Sequence, residues 1–450
     1  MAQLDTIFKA YDVRGLYPEQ LDGPTARSIG AAFARFLLEQ ESATSRVVVG
    51  RDMRPSGVEL VAAFTDGVLG QGLDVVDLGL VSTDLTYFAA GHLGAPGATF
   101  TASHNPAQYN GIKMCLAGAR PVGEDTGLGR IRELAGAELP AAPTPGTLGS
   151  ADLLGAFAEH VRSFADPAVL RPLRIVADTA NGMGGLVVPA VFAALPFEIE
   201  VLFGELDGTF PNHPANPIEP ENLRWLRERV LETGADLGLA FDGDADRVFL
   251  VDERAEPLSG SLTTAIVAAG VLDKHPGATI IHNLICSKAV PEVVAERGGT
   301  PVRTRVGHSF IKAVMAETGA VFGGEHSGHY YFEDNWRADS GLIATMVVLE
   351  QLCRAGVPLS ELRKPFERYA TSGELNTEVA DQQGVIEKVA ATFADASQDR
   401  LDGLTVDFGD WWFNLRPSNT EPLLRLNLEA GDEAEVARRV AEVRAVMSGA

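Results

Sequence analysis

The sequence predicts three related α/β domains and a smaller fourth domain around one shared cleft. Two observations carry this expectation. The chain has 450 residues, more than one ordinary hydrophobic core accommodates. A short apolar strand, a loop and a helix also follow one another repeatedly along the chain, which is typical of α/β architecture.

Three apolar runs, at residues 46–50, 173–178 and 278–284, predict buried strands. Each run is followed by a loop and then by a helix. The loop at 181–185 (NGMGG) is rich in glycine, but Val187 stands where a dinucleotide-binding fingerprint has its third glycine. We therefore exclude a dinucleotide site there.

A second repeat places one polar loop in each of the first three domains. Gly97-Ala98, Gly234-Ala235 and Gly319-Ala320 each follow a predicted helix and precede a short apolar strand. The key residue of the next loop lies six, eight or six residues after the glycine. One Gly-Ala pair is weak evidence in a chain rich in both residues, but the threefold agreement indicates three related units that each deliver one loop to the cleft.

Small residues and prolines at 135–150 predict a linker after the first domain. The last part of the chain has strand-like runs at 411–415 and 423–428 and a final helix at 433–447. These elements predict the smaller fourth domain. The expected domains are residues 1–145, 146–252, 253–365 and 366–450.

The net charge of −24 argues against binding nucleic acid or an anionic membrane, since the mean field repels polyanions. The three cysteines, Cys115, Cys286 and Cys353, form no CxxC pair and fit a reducing compartment. No secretory signal and no apolar run near ~20 residues is visible. We expect a cytoplasmic protein, a monomer or weak homodimer, with a small anionic substrate held by local cations.

Asp242, Asp244 and Asp246 offer three carboxylates at alternate positions, followed by Arg247. An EF-hand is excluded, because its sixth position is Gly rather than Arg and the flanking residues here predict strands. A solvated acidic turn is the other alternative. Three carboxylates this close repel one another unless a cation lies between them, so the spacing predicts a Mg²⁺ site with an open position for a phosphate oxygen.

Ser103 lies in the segment 101–106 (TASHNP), 139 residues before Asp242. By itself this serine is equally explained as a helix N-cap. A Ser–His hydrolase is not supported, because adjacency of Ser103 and His104 in sequence does not make a nucleophile–base pair and no Gly-x-Ser-x-Gly elbow is present. Lys113 adds a cation nearby. A hydroxyl, a metal and cations are the parts that phosphoryl transfer needs.

Glu325, Ser327 and His329 lie at alternate positions, and a carboxylate with a hydroxyl can bind sugar hydroxyls. A metal site at His326 and His329 is disfavoured, because no further ligands cluster with them. His308 is a second candidate for proton transfer near pH 7, with an ordinary histidine near a helix N-terminus as the alternative.

A cluster of donors lies between the two predicted strands of the fourth domain. A guanidinium with hydroxyls and backbone amides can cradle a phosphate without the glycines of a P-loop. The cluster consists of Arg416, Ser418, Asn419 and Thr420.

Together these loops resemble those of the α-D-phosphohexomutases, specifically the phosphomannomutase/phosphoglucomutase group. The resemblance covers essentially the whole chain and includes an opening segment at 8–15 (FKAYDVRG). It implies mixed sheets in the first three domains and a TATA-box-protein-like fourth domain. The motifs, in the family's order, are 101–106 (TASHNP), 242–247 (DGDADR), 324–329 (GEHSGH) and 416–422 (RPSNTEP).

The resemblance also implies roles for the candidate residues. Ser103 would be the phosphoserine. One Mg²⁺ per chain would be held by its phosphate with Asp242, Asp244 and Asp246. Sugar hydroxyls would be bound by Glu325 and Ser327, and the non-reacting phosphate by Arg416, Ser418, Asn419 and Thr420. The other residues expected to line the site are Tyr11, Arg14, His104, Lys113, Arg247, His308 and His329.

The implied reaction moves a phosphoryl group between the 1- and 6-positions of a hexose phosphate. Phosphorylated Ser103 donates to the free hydroxyl, and the hexose 1,6-bisphosphate, which also serves as activator, turns around without leaving. Its other phosphate then returns to Ser103.

His326 favours mannose or glucose phosphate, because glucosamine-phosphate mutases commonly have Gln at this position. Several relatives have Lys where this chain has Ile285, and the sequence leaves open whether Lys288 substitutes. The alternatives are a phosphoglucosamine mutase, a Mg²⁺-dependent sugar phosphatase and a non-catalytic sugar-phosphate-binding protein.

Overall fold

The computed structural model describes residues 2–40, 44–418 and 423–448. Within these residues the chain forms three α/β units with mixed sheets and a smaller C-terminal α+β unit. The fold class expected from the sequence is confirmed.

The first unit is built on a mixed sheet. Its elements are α1 (Ala2–Ile7), β1 (Val13–Leu16), α2 (Gly23–Gln40), β2 (Arg46–Arg51), α3 (Gly57–Gly70), β3 (Asp74–Leu80), α4 (Thr83–His92), β4 (Gly97–Phe100), β5 (Tyr109–Leu116), β6 (Arg120–Pro121), α5 (Leu128–Ala135) and β7 (Leu148–Ser150). The described strands pair in the order β1-β5-β4-β2-β3-β7, with β6 on β5. β2 is parallel to β3 and β4, whereas β5 is antiparallel to β1 and β4.

The second unit is built on a second mixed sheet. Its elements are α6 (Leu154–Arg162), β8 (Arg174–Asp178), α7 (Gly184–Phe192), β9 (Glu198–Leu202), α8 (Arg224–Thr233), β10 (Leu237–Phe241), β11 (Val248–Asp252) and β12 (Pro257–Leu258). The described strands pair in the order β12-β11-β10-β8-β9. β8 is parallel to β9 and β10, and β11 is antiparallel to β10 and β12.

The third unit repeats this arrangement. Its elements are α9 (Gly260–Lys274), β13 (Thr279–Asn283), α10 (Ala289–Glu296), β14 (Thr300–Thr304), α11 (His308–Thr318), β15 (Phe322–Gly324), β16 (Tyr330–Phe332), β17 (Ala338–Asp339), α12 (Gly341–Ala355) and α13 (Leu359–Leu362). The order is β14-β13-β15-β16-β17, parallel up to β15 and antiparallel after it.

The fourth unit is an antiparallel sheet with two helices on one face. Its elements are β18 (Ala370–Glu378), α14 (Gln382–Thr392), β19 (Ser397–Asp399), β20 (Leu404–Asp407), β21 (Trp412–Pro417), β22 (Leu423–Ala430) and α15 (Glu433–Ser448). The order is β18-β22-β21-β20-β19. Leu424, Leu426 and Leu428 lie at alternate positions of β22 and are buried in the core between the sheet and the helices. The residues between them point to the opposite face of the sheet.

The three polar loops occupy equivalent places in their sheets. β4 is parallel to β2 and antiparallel to β5, and the same relation holds for β10 with β8 and β11 and for β15 with β13 and β16. Each loop therefore joins the carboxyl end of a parallel strand to the first antiparallel strand. Carboxyl ends of parallel strands are where open α/β sheets place ligands.

The largest hydrophobic core joins the second and third units and also takes in Met53, Val81, Leu85 and Phe88 of the first unit. Most of the first unit and the fourth unit have cores of their own. Helix α12 packs on α6, on β11 and on α9. Nearly all of its residues are buried, as expected for a helix that is apolar all round.

The linker expected at 135–150 ends in secondary structure. Residues 148–150 form β7, which pairs in parallel with β3 and extends the first sheet. The pairing is long-range, and the small residues of this strand carry no apolar alternation that would have indicated it.

No single helix among the described residues is long and apolar enough to cross a membrane. The pair Gly341–Ala355 and Leu359–Phe366, bent by 91°, meets the criteria of length and composition only when the two are taken together.

Candidate active site

The loop between β4 and β5 holds Ser103 against the second unit. Ser103 has a φ of 49°, a left-handed value uncommon outside glycine, and its N–H donates to Thr101 Oγ1 at 2.9 Å. Its hydroxyl donates to Asp242 Oδ2 at 2.7 Å, and the residue is 5% exposed. Left-handed backbone at a non-glycine residue is costly and is concentrated at functional sites.

Arg54, which the sequence analysis did not identify, supports this loop. Its fully buried guanidinium pairs through Nε with Asp52 at 3.1 Å. It also donates, at 2.7–2.9 Å, to the carbonyl oxygens of Ser103, Asn105, Pro106 and Tyr109. The available signal was the charged segment 51–54 (RDMR) directly after a buried strand, the same pattern that marks the other polar loops.

The acidic triad, Asp242, Asp244 and Asp246, lies on the loop between β10 and β11, and each residue is at most 1% exposed. One carboxylate oxygen from each lies within 4.8 Å of the others. Gly243 allows this loop to approach Ser103, because a Cβ at Gly243 would lie 2.4 Å from the Ser103 carbonyl oxygen.

Lys113 and Thr83 contact the triad from the first unit. Lys113 Nζ donates to Asp244 Oδ2 at 2.8 Å and to Asp246 Oδ2 at 2.7 Å. Thr83, also missed in the sequence, donates through Oγ1 to Asp244 Oδ2 at 2.6 Å. Burial acts to raise the pKa of Asp244, but the charge and hydrogen bond of Lys113, together with the hydrogen bonds of Thr83 and Asp242, outweigh burial and the pKa is lowered.

The triad has the properties of a site for a divalent cation. Asp244 Oδ1 and Asp246 Oδ1 are buried and have no hydrogen-bond partner among the described residues. Burial raises the pKa of Asp242 to about 8, with the charges of Asp244 and Asp246 adding to the effect and that of Arg247 opposing it. A cation between the three carboxyls would favour the charged form of Asp242. Carboxylate oxygens are the ligands that Mg²⁺ prefers, so these residues fit a Mg²⁺ ion.

Arg247 links the triad to the serine loop. Its Nε donates to Asp242 Oδ2 at 2.9 Å, and its Nη2 lies 3.5 Å from Ser103 Oγ and 2.6 Å from His104 Nδ1. The Arg247 guanidinium, together with burial, lowers the pKa of His104 to about 2. His104 is therefore a neutral acceptor here, which makes it a poor candidate for proton donation.

The loop between β15 and β16 brings Glu325, Ser327 and His329 to the same cleft. Glu325 is 2% exposed and accepts hydrogen bonds from Asn283 Nδ2 at 3.1 Å and Tyr331 Oη at 2.6 Å. His329 Nδ1 lies 3.0 Å from Ser327 Oγ. His329 Nε2 lies 3.9 Å from Asp246 Oδ1, so the third loop meets the triad.

The N-terminal residues close one side of the site. Arg14 donates to Asn105 Oδ1 at 2.6 Å, which ties it to the serine loop. Tyr11 packs edge-on against Phe310 with ring centroids 6.0 Å apart. Gly307, with a φ of 132°, permits this contact, because a Cβ there would lie 2.6 Å from Tyr11 Oη. The side chain of the neighbouring candidate, His308, lies outside the described residues.

The fourth unit contributes Arg416 and Ser418. Arg416 Nη2 donates to Glu374 Oε2 at 2.8 Å. Burial raises the pKa of Tyr11 and lowers that of His326, and the charge of Arg416 opposes the first shift and adds to the second. The predicted cradle residues Asn419 and Thr420 lie outside the described part of the chain.

Lys288 does not replace a lysine at the position of Ile285. Its Nζ donates to Asp407 Oδ1 at 2.7 Å and to the Gly409 carbonyl oxygen at 2.9 Å, which ties the third unit to the fourth. Ile285 is 8% exposed between the same units. Lys288 therefore does not supply the positive charge that several relatives have at the position of Ile285.

Comparison with known proteins connects this geometry to a family. The matching models are described as phosphoglucomutase/phosphomannomutase, alpha/beta/alpha domains I, II and III and C-terminal domain. They match residues 5–138, 155–256, 259–369 and 374–446, respectively.

Relatives match along nearly the whole chain. One named "Phosphohexose mutases" from Xanthomonas campestris pv. campestris is 40% identical over 449 residues, covering 98% of this chain and 99% of the relative. A phosphomannomutase from Salmonella montevideo is 41% identical over 451 residues, covering 97% and 98%. The crystal structure of a phosphoglucomutase/phosphomannomutase family protein from Burkholderia thailandensis has a TM-score of 0.90 at 35% identity, covering 99% and 97%. With consecutive family models and such relatives along its length, the chain belongs to the phosphoglucomutase/phosphomannomutase family of isomerases.

Proposed function

We propose that this enzyme moves a phosphoryl group reversibly between the 6- and 1-positions of mannose phosphate, and also of glucose phosphate. The observation that carries the proposal is Ser103 Oγ, which lies 2.7 Å from Asp242 within a buried triad that has unpaired oxygens. A serine that only capped a helix would need no such neighbours. The name of the Salmonella montevideo relative, a phosphomannomutase that is 41% identical to this chain, supports mannose as the sugar.

Ser103 carries the phosphoryl group in the resting enzyme. In the first half-reaction the free hydroxyl oxygen of the hexose monophosphate attacks phosphorus. The bond between phosphorus and Ser103 Oγ breaks as the bond to the sugar oxygen forms. Arg247, with Nη2 3.5 Å from that Oγ, stabilises the negative charge left on it.

The sugar hydroxyl must lose its proton, and we assign the proton to His329. This imidazole lies beside the triad, 3.9 Å from Asp246, and Ser327 orients it at 3.0 Å through Nδ1. His104 is not assigned this proton, because its Nδ1 accepts a hydrogen bond from Arg247 Nη2. We propose that His104 remains neutral beside the phosphoserine.

The first half-reaction yields a hexose 1,6-bisphosphate, which turns in the cleft. Its other phosphate returns to Ser103 through the same bond changes, and the freed sugar oxygen regains a proton. Phosphate is conserved, so a trace of bisphosphate can phosphorylate an unmodified Ser103. The cradle must accept either phosphate, and we assign it to Arg416, Ser418, Asn419 and Thr420.

Several residues bind and orient the substrate or the metal. Glu325 and Ser327 bind sugar hydroxyls, and Tyr11, Arg14 and Lys113 line the cleft. One Mg²⁺ per chain, when bound, supplies positive charge to the transferring phosphoryl group. Its proposed ligands are Asp242, Asp244, Asp246 and an oxygen of phosphorylated Ser103.

We place the reaction in the cytoplasm, consistent with the buried free thiols of Cys115, Cys286 and Cys353. The assembly we propose is a monomer or weak homodimer. The expected boundaries were residues 145, 252 and 365, and we move the first two to about 150 and 258 so that β7 and β12 stay with their sheets.

The test is an assay with Mg²⁺ and a trace of hexose 1,6-bisphosphate on mannose 1-phosphate, glucose 1-phosphate and glucosamine 1-phosphate. We expect isomerisation of the first two and its loss in Ser103→Ala. Undiminished turnover in this variant would contradict the phosphoserine mechanism. Release of inorganic phosphate at the rate of turnover would instead identify a phosphatase, and preference for the glucosamine substrate would identify the rival mutase.

A further inference from the structure

A turn at residues 179–183, between β8 and α7, packs against the triad loop between β10 and β11. Met183 N–H donates to the Gly243 carbonyl oxygen at 2.9 Å. A Cβ at Gly182 would lie 2.6 Å from the same oxygen, so the absence of a side chain there allows the close approach. Gly243 in turn lies against the Ser103 carbonyl oxygen. The turn, the triad loop and the serine loop are therefore packed one on the next, and the position of the turn limits how the triad meets Ser103.

Ala180 and Asn181 give this turn a strained backbone. Their φ values are 48° and 58°, so two consecutive residues other than glycine are left-handed. Asparagine tolerates such values better than most residues, but they remain costly for any residue with a Cβ. Strain of this kind persists only where the surrounding contacts fix it, and it is concentrated at functional sites.

Asn181 is fixed by the loop that follows β9. Its N–H donates to the Phe203 carbonyl oxygen, and its own carbonyl oxygen accepts from Asp207 N–H, each at 2.9 Å. Its side-chain Nδ2 donates to the Glu205 carbonyl oxygen at 2.8 Å, and its Oδ1 accepts from Asn212 Nδ2 at 2.7 Å. The residue is 4% exposed, and its main-chain and side-chain polar groups all have partners. The strained turn is therefore held by this loop through four hydrogen bonds.

The same loop, residues 203–213, also contacts Arg54, which supports the serine loop. A Cβ at Gly208 would lie 2.6 Å from Arg54 Cα, and the Phe210 ring centroid lies 5.1 Å from Arg54 Cζ. Arg54 Nη2 donates to the Ser103 carbonyl oxygen at 2.9 Å. The loop at 203–213 thus joins the turn that supports the triad loop to the arginine that supports the serine loop.

We propose that Asn181 is a positioning residue of the reaction, which acts through the loop at 203–213 to keep the triad and Ser103 in the geometry that phosphoryl transfer requires. The inference rests on the function proposed above. Asn181 acts through Gly243 and Arg54 rather than by contact with the reacting atoms. A misplacement of about 1 Å is enough to lower the rate of a reaction about 100-fold, so a support outside the cleft can affect the chemical step. The glycine-rich segment at 181–185, which lacks a dinucleotide fingerprint, thereby has a role in catalysis.

The test compares Asn181→Gly with Asn335→Ala. Glycine accepts the left-handed φ, so Asn181→Gly removes two side-chain hydrogen bonds without adding backbone strain. Asn335 is the matched control, because it is 1% exposed and its side chain also makes two hydrogen bonds, with His160 Nε2 at 2.9 Å and the Ala338 carbonyl oxygen at 3.2 Å. These partners lie outside the triad and serine loops. We expect urea unfolding to show both variants less stable than wild type, with circular dichroism unchanged at the assay temperature.

In the mutase assay on mannose 1-phosphate, we expect Asn181→Gly to lower kcat at least about tenfold and to leave KM within about twofold of wild type. Isothermal titration of Mg²⁺ alone into EDTA-treated enzyme should show a Kd raised about fivefold, because the residue supports the metal ligands from behind. Asn335→Ala should leave kcat, KM and this Kd within about twofold of wild type. A merely structural role of Asn181 would give the same three values as the control.

Phe210→Leu tests the other end of the loop, since it weakens the contact with Arg54. We expect it to lower kcat, and we expect Asn181→Gly/Phe210→Leu to lose less than the product of the two single losses, because both changes act through one loop. If Asn181→Gly proves unstable, Asn212→Ala gives the same comparison, since it removes only the bond to Asn181 Oδ1.

A kcat and a Mg²⁺ Kd for Asn181→Gly within twofold of the Asn335→Ala values would overturn the assignment of Asn181. Single losses that multiply in the double variant would overturn the coupling through the loop at 203–213. Failure of the proposed function is distinguishable, since it would appear as absent isomerisation in the unmutated enzyme, whereas the Mg²⁺ titration would still report on Asn181.

Discussion

Arg54 offers the sharpest test of how the fold positions Ser103. Arg54→Met keeps much of the apolar stem and removes the guanidinium that joins Asp52 to the carbonyl oxygens of the serine loop. Burial already raises the pKa of Asp52 although Arg54 opposes this effect. The charged form of Asp52 is therefore stabilised by Arg54, and Arg54→Met leaves the Asp52 carboxylate buried without a paired cation.

The magnitude follows from these contacts. Breaking a buried ion pair by removing one partner costs about 3–5 kcal/mol, chiefly because the other charge stays buried. The lost carbonyl hydrogen bonds add to this cost only in part, since water can enter beside the shorter side chain. We expect Arg54→Met to lower the free energy of unfolding by about 5 kcal/mol, and Arg54→Met/Asp52→Asn to recover about 2 kcal/mol of this loss. A shift of Ser103 by about 1 Å would lower kcat about 100-fold.

The assay combines urea unfolding, followed by circular dichroism, with the mutase assay. Arg51→Met is the matched control, because Arg51 lies at the same strand end but donates only to the Asp52 carbonyl oxygen among the described residues. An unchanged unfolding midpoint together with a kcat within threefold of the Arg51→Met value would refute the reasoning.

Three further outcomes are expected. Gly243→Ala would place a Cβ 2.4 Å from the Ser103 carbonyl oxygen, so we expect kcat to fall at least about tenfold with unchanged circular dichroism; wild-type kcat would show that the two loops need no such contact. Asp244→Asn removes a candidate ligand and should raise the Mg²⁺ concentration for half-maximal activity at least about tenfold, measured by titration after EDTA treatment. Burial acts to lower the pKa of His213, but the hydrogen bond and charge of Asp178, together with the hydrogen bond to the Pro214 carbonyl oxygen, outweigh burial and the pKa is raised. The stabilisation is thus complete below the unfolded pKa of histidine and is lost as pH rises through the raised value, so the Tm difference between wild type and Asp178→Asn should be larger at pH 6 than at pH 9.

Features that depend on neighbouring residues were predicted from the sequence, whereas contacts between residues far apart in the sequence were not. Alternating carboxylates at 242, 244 and 246 indicated a cation site, and the structure buries all three and leaves one oxygen each of Asp244 and Asp246 without a hydrogen-bond partner among the described residues. Arg54 and Thr83 were missed because their partners lie about 50 and 161 residues away in the sequence. The residues next to Arg54 and Thr83 carry no pattern that predicts which loop each side chain contacts. Strand β7 was missed for the same reason.

By itself, the sequence determined the α/β class, the repeated strand–loop–helix units and the chemistry of each loop. These follow from spacing and side-chain type, which act over a few residues. Only the tertiary structure decided that Ser103 meets Asp242, that Lys113 and His329 reach the triad from different units, and that one loop contacts both Asn181 and Arg54. These contacts depend on how separate sheets pack against one another, which places residues from distant parts of the chain within hydrogen-bond distance.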